Sequence, residues 1–334
     1  MANLPEIAQV MAVFVRLALV NGQSAWGCTI AHPNLTGDDP RSVLNACRAC
    51  ADKIPDLHPF NIEYTLGELA PLVRDAPSAL CAFDLALYDL LGLVSGLPLY
   101  RLLGGYRNQI QTSVTIPISP VQESVALARA RAKQGFRMLK IKGGPEPDLD
   151  VRRVQAIHRA LPGHVLRLDA DGAYAVQTAI EVSRALDGII EMLEQPTPAD
   201  DLESLRLVRQ QSPVLVLADQ SAAGPSSVLE LASQGIIDAL SIKIGACGGL
   251  RCAAQVDAIA RSAGIATMVS CLIEPALMIA AGLSFALSSP NVRYGDLDGH
   301  LDLVNDPSLP GFKIEEGWLI ASEVPGLGCN VALE

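Results

Sequence analysis

The chain has 334 residues, 50% of them hydrophobic but only 4% aromatic, and a mean hydropathy of +0.30. That length and apolar content allow a large core built mostly of Ala, Leu, Val and Ile, in one large domain plus a smaller one. A net charge of −11 and a pI of about 4.9 argue against nucleic acid or an anionic membrane as partner.

Val10 to Val20 is apolar, but Arg16 interrupts it and no basic segment precedes it. It is too short to span a bilayer and makes a poor signal peptide, so it reads as a strand and the expected compartment is the cytoplasm. From Met11 to Ile30 the pattern is a β-hairpin, with Asn21-Gly22 as its turn. Thr36 to Lys53 reads as a helix, with Pro40 near its start and Pro55 past its end. Eight cysteines lie scattered through apparent elements. Cys47 and Cys50 have a CxxC spacing but no second pair at zinc-ribbon distance, so ordinary packing is expected. Pro77 to Leu93 is a strong helix, with Leu80, Phe83, Ala86, Leu87, Leu90 and Leu91 on its apolar side. Gly96, Pro98, Gly104 and Gly105 punctuate its end.

From Gln111 the texture becomes regular. Strands are expected near 111–116, 138–142, 165–169, 189–194, 214–219, 239–244, 266–270 and 292–296. Helices are expected between them, near 120–134, 149–160, 175–187, 200–211, 225–234, 249–263 and 275–288. Eight strands alternating with seven helices predict a parallel sheet closed into a barrel. The expected division is an α+β capping domain over 1–108, a (β/α)7β barrel over 109–300, and a segment over 301–334 returning to the capping domain.

Chemistry-bearing residues stand at the strand ends. Lys140 and Lys142 flank Ile141 on the second strand, so both side chains point the same way, into the barrel mouth. Asp169, Glu194 and Asp219 end the next three strands at a near-constant period, and Lys243 ends the sixth. Active sites of such barrels gather at the C-terminal ends of the strands. Three converging carboxylates suit Mg²⁺ with positions open to substrate, and no nearby His or Cys favours zinc. A lysine serves as a base only when its pKa is lowered, and Lys140 together with the metal is expected to do this for Lys142. Lys243, across the barrel, should meet a bound substrate from the opposite face. Two bases on opposite faces can take an α-proton from one side and return it to the other, through an enediolate that the metal stabilises. At the eighth strand end, Asp296 and Asp298 share a face and could bind a cation or a substrate ammonium.

These residues resemble the enolase superfamily, muconate-lactonizing-enzyme subgroup, over most of the chain. The helix Ala79–Gly92 with its exit Gly96–Gly105 is similar to the family's N-terminal helix. Lys140-Ile141-Lys142 matches its KxK motif, in which the second lysine is the acid/base catalyst and the first supports it. Asp169, Glu194 in Glu194-Gln195-Pro196, and Asp219 match its Mg²⁺ ligands, and Lys243 before Cys247-Gly248-Gly249 matches the opposite-face lysine. Asp296-Leu297-Asp298 resembles the DxD motif of the dipeptide epimerases, whose best-known activity is on Ala-Glu. The resemblance implies an isomerase acting on a dipeptide, with Asp296 and Asp298 on the substrate's α-ammonium. The alternatives are N-succinylamino acid racemase, o-succinylbenzoate synthase or cycloisomerase chemistry on the same scaffold, or a metal-binding pseudoenzyme. A homo-oligomer is also expected. Asp171 stands where Asp-Ala-Asn is usual, and Gln220 follows Asp219 where Glu is usual. The family begins with a further strand and a mobile specificity loop, which here is expected to be absent or replaced by Met1–Gln9.

Overall fold

The computed structural model describes residues 9–333 apart from His32 and Asn34; the expectation for Met1–Gln9 lies, but for Gln9, outside them. Strands β1 (Ala12–Ala18) and β2 (Ser24–Ile30) pair antiparallel, Ala12 facing Ile30 and Ala18 facing Ser24. The hairpin turn is wider than two residues: Leu19 N–H donates to Gln23 at 2.8 Å, with Gly22 at φ +87°. Helix α1 (Pro40–Lys53) begins later than Thr36. The Asp39 carboxylate accepts the amides of Arg41 and Ser42, and Pro40 sets the first helical φ. Helix α2 (Ile62–Leu69) was not anticipated. Helix α3 (Ser78–Ser95) ends at Gly96, which takes the left-handed conformation at φ +67°. It is long and apolar enough to cross a membrane, yet 67% of it is buried within the fold. Phe83 and Leu87 join Leu17, Val43, Leu66 and Leu69 in the capping-domain core, and Cys47 and Cys50 lie there as free thiols. A short helix α4 (Leu99–Leu102) and strand β3 (Gln109–Gln111) lead into the barrel.

The barrel strands are β4 (Ser113–Ile116), β5 (Met138–Lys142), β6 (Val165–Asp169), β7 (Met192–Glu194), β8 (Leu215–Ala218), β9 (Ala239–Lys243), β10 (Ala266–Ser270) and β11 (Val292–Asp296). They form one parallel sheet in chain order. Helices α5 (Val121–Lys133), α6 (Pro147–Ala160), α7 (Val176–Ala185), α8 (Leu202–Gln211), α9 (Pro225–Gln234), α10 (Ile244–Cys247), α11 (Leu250–Ser262) and α12 (Ala276–Ser288) run between them. The ring closes at a single parallel bridge, Thr112 to Gly295. A Cβ at Gly295 would lie 2.5 Å from the Gln111 carbonyl, so the seam requires glycine there. Alternate residues fill the interior. Met192, Leu217 and Met268 pack below the rim against Tyr294, and Arg167 is fully buried among them. Past the barrel, β12 (Ser308–Leu309) pairs with β15 (Asn330–Val331), and β13 (Lys313–Glu315) with β14 (Trp318–Ile320), which in turn pairs with β3.

Candidate active site

Register brings the strand-end residues together. Lys142 on β5 is the cross-strand partner of Asp169 on β6, and Asp169 of Glu194 on β7. On the other side Lys243 pairs with Ser270, and Ser270 with Asp296. Because side chains alternate, these rim residues all face the barrel axis, one layer above Lys140 and Arg167.

The Lys140 ammonium lies among three buried carboxylates: Asp296 Oδ2 at 2.8 Å, Glu194 Oε2 at 2.9 Å and Asp169 Oδ2 at 3.0 Å. Burial alone would depress this lysine, but the three carboxylates outweigh it and hold it above its ordinary range. Lys142 reaches Asp169 Oδ2 at 2.8 Å and Asp171 Oδ2 at 2.7 Å. Its strand end is fixed from behind, where the buried Arg153 donates to the Lys142 carbonyl at 2.7 Å. The expected lowering of the Lys142 pKa counts on the metal as well as on Lys140, and the side chains around it supply one part of that balance. Burial pulls it down and so does Lys140, but Asp169 and Asp171 raise it further than these lower it. Lys243 pairs with Asp219 Oδ1.

Asp169 is held below the usual carboxylate range: burial opposes ionisation, and Lys140 and Lys142 prevail. Glu194 goes the other way, pushed up to about 8 by burial and by Asp169. Lys140 is close to Glu194 but off the hydrogen-bond direction, so neither Glu194 oxygen accepts a hydrogen bond among the described residues. Five buried carboxylates (Asp169, Glu194, Asp219, Asp296 and Asp298) thus meet the three ammonium groups of Lys140, Lys142 and Lys243, two positive charges short of balance. The unsatisfied oxygens of Glu194 and that deficit suit a divalent cation, with Asp169 and Asp219 as the further ligands, while Lys140 lies between Asp169 and Glu194 and the described residues gather no set of three acids at ligand distance.

Asp296 and Asp298 are not equivalent. Asp296 is spoken for, by Lys140 on one oxygen and by the Ser113 hydroxyl on the other at 2.6 Å. Asp298 accepts the Thr115 amide at 2.6 Å on Oδ2, while Oδ1 accepts from the Cys271 thiol at 3.7 Å, a weak donor. Its pKa rises to about 6 through burial and the nearby Asp296. A narrow cleft of about 40 Å³ lies beside Lys243, between Asp219, Gln220 and Cys247 on one side and Leu35 and Thr36 of the capping domain on the other.

Several contributors escaped the sequence reading. Gln195, at φ +35°, accepts the amides of Asp219 and Ser221 on Oε1 and donates to Thr197 and Ser221 through Nε2. It thereby ties the end of β7 to the turn that carries Asp219. Arg167 donates to Glu191 and to the Gly295 carbonyl across the barrel. It could have been found as Lys140 was, as a cation in an apolar run on the same face as a strand-end acid. Glu274, after β10, is buried and pushed up to about 8 by burial.

The hydrophobic dipeptide epimerase of Enterococcus faecalis is 36% identical over 300 residues, 89% of this chain and 85% of that protein. The L-Lys-D/L-Arg epimerase of Methylococcus capsulatus is 34% identical over 331 residues, 97% and 92% of the two. The crystal structure of the dipeptide epimerase from Enterococcus faecalis V583, complexed with Mg and the dipeptide L-Leu-L-Tyr, superposes with a TM-score of 0.92 at 34% identity, covering 96% of this chain and 91% of that one. The enolase C-terminal domain-like profile matches residues 123–334. On fold, rim and sequence together, the chain belongs to the enolase C-terminal domain-like family.

Proposed function

We propose that this protein is an isomerase, a Mg²⁺-dependent dipeptide epimerase using Lys142 and Lys243 as proton carriers on opposite faces of the substrate. The observation that carries the reading is the placement of the two lysines. They end β5 and β9, four strands apart in a ring of eight, on either side of a buried carboxylate set short of positive charge. Relatives bearing the names of dipeptide epimerases support the substrate class.

Asp169, Glu194 and Asp219 would hold Mg²⁺. When bound it neutralises these carboxylates and stabilises negative charge developing on the substrate carboxylate as the α-proton leaves. Lys142 and Lys243 each take or return that proton at Nζ. Lys140, nearly fully buried, stays charged and holds Asp169, Glu194 and Asp296 in place. Asp298 Oδ1 receives the substrate α-ammonium.

The test follows deuterium entry at the α-carbon of each epimer in D₂O. Lys142→Ala and Lys243→Ala should each slow epimerisation by at least about a hundredfold. Each should still exchange one epimer, and the two should differ in which. Epimerisation at the wild-type rate in Lys243→Ala would rule out the two-base mechanism.

A further inference from the structure

We propose that Asp171 and Gln220 are a coupled pair of positioning residues for Lys142, fixing the direction from which its ammonium meets the reacting carbon. The inference rests on the reading of Lys142 as one of two proton carriers.

Lysine is a long, flexible chain, and the Lys142 side chain is 32% exposed at the mouth. Among the described residues its ammonium has two polar partners, Asp169 and Asp171. Asp169 sits in the deep carboxylate set and is shared with Lys140, so Asp171 is the partner devoted to Lys142. Asp171 is itself held in place. Its amide donates to Asp169 Oδ1 at 3.1 Å, and its backbone sits in the left-handed region at φ +47°. The next residue, Gly172, donates to the Gln195 carbonyl at 2.7 Å.

The far side of the Asp171 carboxylate is taken by Gln220. Its Nε2 donates to Asp171 Oδ1 at 3.0 Å, while Lys142 occupies Oδ2 at 2.7 Å. That orientation leaves Gln220 Oε1 buried without a partner among the described residues. Turning the amide over would set an oxygen against a carboxylate, so Asp171 dictates the orientation. Gln220 directly follows Asp219, the partner of Lys243. The pair therefore forms a strut across the mouth from the β8 side to the Lys142 side. One member gives Lys142 an acceptor and the other gives that acceptor a donor, and the pair together carries a single net charge.

The test measures deuterium exchange of each epimer separately with the Mg²⁺-loaded protein. The epimer whose exchange disappears in Lys142→Ala defines the Lys142 face. Asp171→Gly removes the carboxylate without backbone strain, since glycine accepts this φ. It should lower kcat for exchange on the Lys142 face by about a hundredfold, as misplacement of a catalytic group does, with KM little changed. Exchange on the Lys243 face should stay near wild type, and Mg²⁺ affinity by calorimetry should not move. The double variant Asp171→Asn with Gln220→Glu exchanges amide for acid but keeps both contacts, and should recover most of the loss. Equal slowing on both faces, unaltered exchange, lost Mg²⁺ affinity, or failure of the double variant to recover each overturns the inference. Wild-type protein that exchanges neither epimer would instead remove the functional reading on which it rests.

Discussion

Asp296 and Asp298 are two residues apart, but their surroundings give them different work. Lys140 and Ser113 occupy both oxygens of Asp296, whereas Asp298 Oδ1 accepts from a weakly donating thiol. A charge-assisted contact between Asp298 and a substrate ammonium is worth about 1.5–3 kcal/mol, roughly one to two powers of ten in binding. Asp298→Asn should therefore lower kcat/KM for a free dipeptide by about that factor and leave the N-acetylated analogue nearly unchanged. Wild-type protein that uses N-acyl amino acids as well as free dipeptides would favour the N-succinylamino acid racemase alternative. Asp296→Asn should appear as a lower Tm instead, because it breaks a buried ion pair. The carboxylates and lysines were legible in the sequence because strand periodicity puts i and i+2 on one face, and a constant βα repeat puts strand ends on one rim. The division of labour between the two aspartates was not. It depends on Lys140 reaching past β4 to β11, and on a backbone amide at Thr115 that no side-chain pattern reveals. The contact of Asp171 with Lys142 was hidden for the same reason, since Asp171 approaches through a left-handed turn rather than along a strand.

Helix α3 joins the capping domain to the barrel through two carboxylates on an otherwise apolar surface. The buried Asp84 accepts the amides of Leu250 at 2.6 Å and Arg251 at 3.2 Å, capping α11. Gly249 lies so close that a Cβ there would be 2.3 Å from the Asp84 carboxyl carbon. Asp89 accepts the amides of Trp26 and Leu327, fastening the hairpin and the C-terminal segment to the same helix. Burial pushes Asp84 up to about 7 from 3.8, against the pull of the two amides. Between those two values the folded chain binds this proton more tightly than the unfolded chain does, so its contribution to stability falls as pH rises. Asp84→Asn carries no such titration. The Tm deficit of Asp84→Asn relative to wild type should therefore shrink between pH 4 and pH 8, measured by scanning calorimetry; a deficit that grows would contradict a raised Asp84. The helix was readable from its apolar spacing, but the reach of Asp84 to α11 and Asp89 to Leu327 is tertiary. Helix α2 was missed because it is short, lacks a side-chain cap, and buries only Thr65, Leu66 and Leu69.

At the scale of the molecule, the barrel is a device for bringing five carboxylates into a space with too few cations. The order of its strands and their closure were legible because eight βα units repeat the same alternation, whereas the seam was not, since it turns on one bridge at Gly295. Within this rim Glu194 bears the imbalance most plainly, buried and, among the described residues, without a hydrogen bond to either oxygen. A cation that binds the folded rim and not the unfolded chain stabilises by mass action, by about 2.7 kcal/mol at a hundred times its Kd. Unfolding entropy scales with length, so for a chain of this size that corresponds to an increase in Tm of about 4 °C. Mg²⁺ should produce that shift in wild-type protein and a chelator should reverse it. Glu194→Gln should behave differently in both states. Without metal it relieves a buried carboxyl whose charge burial and Asp169 oppose more than the nearby Lys140 supports it, so its Tm should equal or exceed that of wild type. With Mg²⁺ it lacks one charged ligand, so the shift should be lost. A Mg²⁺ shift of wild-type size in Glu194→Gln would place the cation elsewhere. A metal-free Glu194→Gln that melts well below wild type would mean that Lys140 depends on the Glu194 charge more than the rim suffers from it.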